Sequence, residues 1–359
     1  MTELEIDTPA GLPASEQTGP KTGEPQHHES QNTGPQNTGS QNTEPGSGVY
    51  SQAATWYAEN WDPTISLGAW WERLADAGWA FPTWPLGFGG RGLSGAEAKQ
   101  ANRARVEAGA FGPPNGVATF LTAPTLLAYG TQDQLDRYMP GIVRGRDRWC
   151  QLFSEPGSGS DMAGLATRAE RDGDEWVITG QKVWNSGAQF AKYGILIART
   201  DPGQPKHRGI TYFLIDMEQP GVDVRPLREM TGDAAFNEVF LAEARVAEAD
   251  RLGGLGEGWR VAMTTLSHER DPDNAGMGDG AAFGEVDLDT PVGIYASTLA
   301  AGVDGFSLAI GGGGPRMLDQ IVADPGSSGT PATEDPVTRQ RLMEILAMRR
   351  TSRWSSERA

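Results

Sequence analysis

Trp149-Cys150-Gln151-Leu152-Phe153-Ser154-Glu155-Pro156-Gly157-Ser158-Gly159-Ser160-Asp161 begins as a strand-like apolar run and ends as a loop of glycine, serine, proline and acid. The glycines let backbone approach a flat or charged ligand closely, and the serines add small rotatable hydroxyls. Further on, Lys182-Val183-Trp184-Asn185-Ser186-Gly187 repeats the formula, with a strand-like run, a large aromatic, then polar atoms at a turn. Together the two segments suggest a cradle for a cofactor, with hydrogen bonds on one side and a flat ring on the other.

Around this pair the period of the chain changes. Upstream it is helical. Ser66 precedes Leu67, Trp70, Trp71 and Leu74, an apolar stripe at helical spacing with an N-cap before it and Gly78 after it. Ser94 with Glu97, and Thr131 with Gln134, are capping-box patterns opening two further helices. Gly116 to Tyr129 is apolar enough for a buried helix, and Trp84-Pro85-Leu86-Gly87-Phe88-Gly89-Gly90 reads as a tight turn between helices. The aromatics at helical spacing are read as core. From Trp149 onward, short runs such as Trp176-Val177-Ile178, Ile195 to Ala198, Thr211 to Ile215 and Glu238 to Leu241 alternate with turn signals, which predicts a small β-barrel or sandwich.

Helical pattern returns at Gly258, where Trp259, Ala262, Met263 and Leu266 form one stripe, with Glu269 and Arg270 on its extension. Residues 271–335 are rich in Gly, Asp, Pro and Ser, and Asp335-Pro336 restarts a helix as N-cap and first helical residue, with Leu342, Ile345 and Leu346 on one face. The expected architecture is α+β: a disordered tail at 1–48, an N-terminal helical domain at 49–147, a central β-barrel domain at 148–255, and a truncated C-terminal helical bundle at 256–359 with a Gly-rich insertion at 271–335. The tail holds the repeat QNTGP-QNTGS-QNTEP from Gln31 to Pro45 and no aromatic side chain, so it cannot offset its ordering entropy by burial.

Charge and composition exclude several functions. Net charge is −17 over 359 residues; the tail, with seven acids and one lysine, carries −6 of it and the body the remaining −11. An acidic body argues against nucleic acid or an anionic membrane as the main partner. Cys150 is the single cysteine, so no internal disulfide can form, which suits a reducing cytoplasm. No apolar run reaches the ~18 residues of a membrane span, and the N-terminus does not read as a signal peptide. His27 and His28 read as solvated tail, and no metal site is expected.

A carboxylate on an apolar stripe requires an explanation, because burying Glu269 unpaired is costly. It pairs with Arg270, or both point to solvent at the helix end, or Glu269 is a general base whose pKa burial raises toward neutrality.

Phe153-Ser154-Glu155-Pro156-Gly157-Ser158-Gly159-Ser160-Asp161, followed at the right spacing by Gly180-Gln181-Lys182-Val183-Trp184-Asn185-Ser186-Gly187, resembles the acyl-CoA dehydrogenase family over roughly Val49 to Arg270. The resemblance implies FAD as cofactor, faced by Gln151, Phe153, Ser154, Ser160, Trp184, Asn185 and Ser186. Ser160 and Arg270 would also meet the substrate. Leu266-Ser267-His268-Glu269-Arg270 matches the position from which a minority of the family supplies its catalytic glutamate. The implied reaction is dehydrogenation of an acyl-CoA thioester to the 2,3-enoyl-CoA, with electrons passed to an electron-transfer flavoprotein by a homo- or hetero-oligomer. The family's C-terminal bundle is longer than the helical pattern found here. The competing expectation is therefore a non-catalytic or partner-dependent subunit of a hetero-oligomeric dehydrogenase, or an inactive truncated remnant. A flavin monooxygenase or nitroalkane oxidase on the same scaffold is a third.

Overall fold

The computed structural model describes residues 48–230, 234, 236–270, 286–300 and 334–356. The repeat-bearing tail and most of the Gly-rich stretch read from the sequence lie outside the described residues.

The first layer is helical: α1 (Val49–Asn60), α2 (Leu67–Asp76), α3 (Gly95–Glu107), a π-helical turn (Ala118–Thr122) that runs on as α4 (Ala123–Tyr129), and α5 (Gln132–Val143). The starts follow local chemistry. Ser66 Oγ accepts from the Ala69 amide, and both capping boxes form, Ser94 with Glu97 and Thr131 with Gln134. Trp70 and Trp71 are buried, and their indole N–H groups donate to the carbonyls of Phe111 and Gly112 at 3.0 Å each. The stripe is core. The apolar run after Gly116 becomes a helix with a π turn at its start, and Pro124, which has no N–H to donate, sits where that turn gives way to α4.

The second layer is one eight-stranded sheet: β1 (Trp149–Leu152), β2 (Arg168–Asp172), β3 (Glu175–Lys182), β4 (Tyr193–Arg199), β5 (Ile210–Asp216), β6 (Val222–Leu227), β7 (Phe236–Ala247) and β8 (Arg251–Leu252). The strand order is β6-β7-β3-β2-β4-β5-β8, with β1 lying parallel on β4. Strands β4 and β5 are apolar on both faces because both faces are covered. Ile195, Ile197, Ile210, Tyr212 and Leu214 pack on the helical layer. Leu196, Ala198, Phe213 and Ile215 face an interior shared with Trp176 and Ile178 of β3 and Val239, Leu241, Ala244 and Val246 of β7. The sheet thus folds over its own apolar interior, which accounts for the barrel-like pattern of short strands.

Helix α6 (Gly258–Glu269) packs against α4, the π turn and β5. Helix α7 (Val292–Ala300) lies inside the stretch read as a Gly-rich insertion, and here the structure differs from the sequence reading. Residues 286–300 dock on the N-terminal helical layer. The Leu67 and Gly68 amides donate to the carbonyls of Thr290 and Leu288, and the Val292 amide donates to the Ile65 carbonyl, all at 2.9 Å. Val292 is fully buried there, and Val286, Leu288, Tyr295 and Leu299 pack around it. Composition averaged over the whole stretch hid this short apolar segment. Helix α8 (Pro336–Ser356) starts as expected, the Asp335 carboxylate accepting from the Thr338 amide at 2.9 Å. Leu342 is buried on it, while Ile345 and Leu346 are exposed. No helix among the described residues is long and apolar enough to cross a membrane.

Candidate functional site

The site forms where the ends of β1 and β3 run side by side. Three connections tie the two segments: the Asn185 Nδ2 group donates to the Gln151 carbonyl at 2.6 Å, the Val183 amide to the Ser154 carbonyl at 2.9 Å, and Lys182 Nζ to the Phe153 carbonyl at 3.1 Å. The loop after Ser154 turns tightly, because Glu155 and Ser158 exchange backbone hydrogen bonds across Pro156-Gly157. Ser158 Oγ then donates to the Asp161 carbonyl at 2.6 Å, and the exposed Asp161 carboxylate pairs with Lys206.

Beneath this loop lies a buried ion pair. Lys182 is fully buried, Glu155 nearly so, and Nζ lies 2.9 Å from Oε1. The Glu155 carboxylate also accepts from the amides of Ala166 at 2.7 Å and Thr167 at 3.0 Å. Burial pushes the Lys182 ammonium down to about 8, against the pull of Glu155. Burial alone would raise the Glu155 carboxyl, but Lys182 and the donors around Ala166 and Thr167 outweigh it and hold it below its ordinary range. Neither residue stood out in the sequence as functional. A signal was present: Trp176, Ile178 and Lys182 share the inward parity of β3, so the strand's alternation turns the lysine inward.

Trp184 breaks two rules at once. Its φ is 63°, in the left-handed region that non-glycine residues rarely occupy, and the residue is 58% exposed. Its ring lies nearly perpendicular to that of Phe236, with centroids 5.7 Å apart. Asn185 is buried and reciprocally bonded to Asn237: its amide donates to the Asn237 carbonyl at 3.1 Å, and Asn237 Nδ2 donates back to the Asn185 carbonyl at 2.9 Å. Asn237 Nδ2 also donates to Gln189. The Oδ1 atoms of Asn185 and Asn237 are buried without partners among the described residues.

Gln151, Phe153, Ser154, Trp184, Asn185 and Ser186 are therefore brought together. Phe153 is buried edge-on against Tyr212, with ring centroids 5.8 Å apart. Ser154 and Ser186 are half-exposed, and Ser160 lies on the exposed part of the loop. An exposed flat ring and small half-exposed hydroxyls fit a flat ring with polar edges such as a flavin, and the two orphaned amide oxygens are buried acceptors. Asn237 and Gln189 were missed by sequence reasoning; only the reciprocal contact across the sheet identifies them.

Glu269 does not take the buried position that one of the sequence alternatives gave it. The buried face of α6 is Gly258, Val261, Ala262 and Thr265, and Glu269 is exposed on the last turn. Arg270 is exposed as well, and no ion pair between the two is found among the described residues. Among the alternatives open from the sequence, both side chains reach solvent. Thr265, one turn earlier, is fixed by Tyr212 Oη at 3.1 Å and Thr125 Oγ1 at 3.0 Å. Cys150 is buried behind the site, and burial pushes its thiol up to about 12, so it remains a thiol. No cluster of metal-ligating side chains occurs among the described residues.

Comparison with known proteins bears on the helical layer and the sheet. Residues 48–146 match the family model "Acyl-CoA dehydrogenase, N-terminal domain", and residues 150–243 match "Acyl-CoA dehydrogenase, middle domain". The chain is 48% identical over 215 residues to acyl-CoA dehydrogenase FadE34 of Mycobacterium tuberculosis, covering 59% of this chain and 29% of that one. It is 46% identical over 209 residues to acyl-CoA dehydrogenase IpdE1 of the same organism, covering 58% and 54%. The chain thus spans about half or less of the length of these relatives. Among solved structures, the Tcur3481-Tcur3483 steroid ACAD is 28% identical with a TM-score of 0.55, covering 83% of this chain and 71% of that one. The ChsE4-ChsE5 complex from Mycobacterium tuberculosis is 25% identical with a TM-score of 0.52, covering 83% and 71%. With both domain matches in order over the helical layer and the sheet, the chain belongs to the acyl-CoA dehydrogenase family, whose members are FAD-dependent flavoprotein oxidoreductases.

Proposed function

We propose that this chain binds FAD on the surface formed by Gln151, Phe153, Ser154, Trp184, Asn185 and Ser186, and dehydrogenates an acyl-CoA thioester to the 2,3-enoyl-CoA. The observation that carries the reading is Trp184, an exposed residue in a strained backbone conformation on the segment that hydrogen-bonds to the Gln151–Ser154 run. FAD, when bound, supplies a two-electron acceptor for the hydride leaving the β-carbon. Ser154 and Ser186 hydroxyls would hydrogen-bond the flavin, and Trp184 would pack against it. Ser160, on the exposed loop, reaches the substrate's CoA portion. Glu269 takes the α-proton on its carboxylate, and Arg270 orients the thioester. An electron-transfer flavoprotein would be the final electron acceptor.

A second reading has its own observation. Glu269 and Arg270 stand exposed among the described residues at the end of α6, and in this reading a second chain supplies the desolvation a base needs. Two of the similar solved structures carry paired names, Tcur3481-Tcur3483 and the ChsE4-ChsE5 complex. In this reading the chain is a partner-dependent subunit of a hetero-oligomer.

The test is the visible absorbance of the protein purified alone and after co-expression with a full-length dehydrogenase, followed by anaerobic addition of a panel of acyl-CoAs. A flavin spectrum that bleaches in the chain alone supports the first reading. Flavin and bleaching only with the partner support the second. No flavin under either condition overturns both.

A further inference from the structure

We propose that Lys182 is the positioning residue that sets the two flavin-facing segments against each other; this rests on the flavin reading above. Its Nζ reaches two acceptors on the first segment, the Phe153 carbonyl at 3.1 Å and Glu155 Oε1 at 2.9 Å, while its own backbone leads directly into Val183 and Trp184. Glu155 in turn holds the amides of Ala166 and Thr167, so one ammonium governs both ends of the loop that carries Ser160. A hydrophobic side chain of the same length would fill the space, but it would donate nothing to the Phe153 carbonyl. An ammonium buried to this extent is costly, and its retention beside the site is accounted for by what it holds.

The hydrogen bonds of Lys182 Nζ go to the Phe153 carbonyl and the Glu155 carboxylate. Lys182 acts through Phe153, Glu155 and the start of the Trp184 turn. The flat ring requires Phe153-Ser154 and Trp184-Ser186 at a fixed separation, and the lysine sets that separation at the point where the segments leave their strands.

The test compares the full-length chain with Lys182→Met, Lys182→Arg and the double variant Lys182→Met/Glu155→Gln. Amide hydrogen exchange is read over 153–167, 183–187 and 210–216, alongside Tm, FAD affinity and visible circular dichroism. In Lys182→Met, exchange is expected to rise at least tenfold in the first two stretches and to hold steady in β5. FAD binding weakens at least tenfold, and its visible dichroic band changes. The double variant removes both buried charges, so its Tm recovers, yet its FAD affinity and dichroic band stay altered. Lys182→Arg keeps the charge and restores part of both.

The proposal is overturned if exchange in the two stretches is unchanged, if it rises equally in β5, or if FAD affinity recovers together with Tm in the double variant. Should the wild-type chain bind no FAD, the flavin reading fails by itself, and the exchange pattern still decides whether Lys182 holds the segments. If Lys182→Met does not fold, the double variant provides the same comparison.

Discussion

The Tyr212 hydroxyl lies 3.1 Å from Thr265 Oγ1, and this buried contact joins the sheet to the helix that carries Glu269. Thr265 Oγ1 also lies 3.0 Å from Thr125 Oγ1 on α4, so one hydroxyl links three elements. Thr265→Val would leave the fully buried Tyr212 hydroxyl without this partner, at a cost of about 1–3 kcal/mol. Tyr212→Phe removes only one arm and costs about 0.5–1.5 kcal/mol. Urea unfolding of the two variants should show Thr265→Val as the weaker protein, and the reverse order would remove Thr265 from the centre of the contact.

Trp184 should matter little to stability and much to the ligand. The residue is 58% exposed, and its left-handed backbone costs a non-glycine residue about 1–2 kcal/mol. Trp184→Gly relieves that strain, while the added flexibility of glycine costs about 0.5–1 kcal/mol in return. Thermal melts of Trp184→Gly should therefore match or exceed wild type, while fluorescence titration shows FAD affinity falling at least tenfold. A large drop in Tm would place the indole in the fold instead.

The acid limb of stability should report Glu155. Its carboxyl is held below its ordinary range in the folded chain, so the stability it contributes is complete above the ordinary carboxylate pKa of about 4.3 and is lost as pH falls through the depressed folded value. At neutral pH, Glu155→Gln leaves Lys182 buried without its counter-charge, and breaking such a pair costs about 3–5 kcal/mol. Denaturant midpoints should show the gap between wild type and Glu155→Gln narrowing as pH drops from about 5 to 3. A constant gap would mean that the carboxylate's charge is not what stabilises the loop.

The turn after Trp84 depends on a glycine. A Cβ at Gly90 would lie 2.1 Å from the Trp84 carbonyl oxygen and 2.7 Å from that of Phe81, both backbone atoms with no rotamer to change. Gly90→Ala should cost at least the ~1–3 kcal/mol typical of overpacking, read as a lower Tm. An unchanged Tm would show that the loop relaxes freely.

Glu269→Gln should separate chemistry from folding. The side chain is exposed on the last turn of α6, so its loss should change stability by no more than about 0.5 kcal/mol. If Glu269 is the base, rapid-mixing measurements of flavin reduction by an acyl-CoA should slow by about 10²–10⁴. Undiminished reduction would assign the proton transfer to another group.

Much of the architecture was legible because it is specified locally. The Ser66 cap, the two capping boxes, the Trp70-Trp71 stripe and the Asp335-Pro336 start each act within one or two helical turns, and each forms as read. The short strands and their turns follow the same logic. Helix α7 was not legible, because its nine residues are hydrophobic only against a background of glycine and acid, and its anchor is the carbonyl and amide groups of residues 63–68, far away in sequence.

By itself the sequence determined the α+β class, the helix starts, the apolar faces of the strands and the two segments that mark the family. Periodicity, capping and turn chemistry act over a few residues and need no distant partner. The tertiary structure alone decided that Lys182 and Glu155, 27 residues apart, meet as a buried pair; that Asn185 and Asn237 bond reciprocally; and that Glu269 emerges into solvent at the end of its stripe. The free energy of a charge or an amide depends on what desolvates it and what accepts its hydrogen bonds, and those partners exist only once the chain has folded.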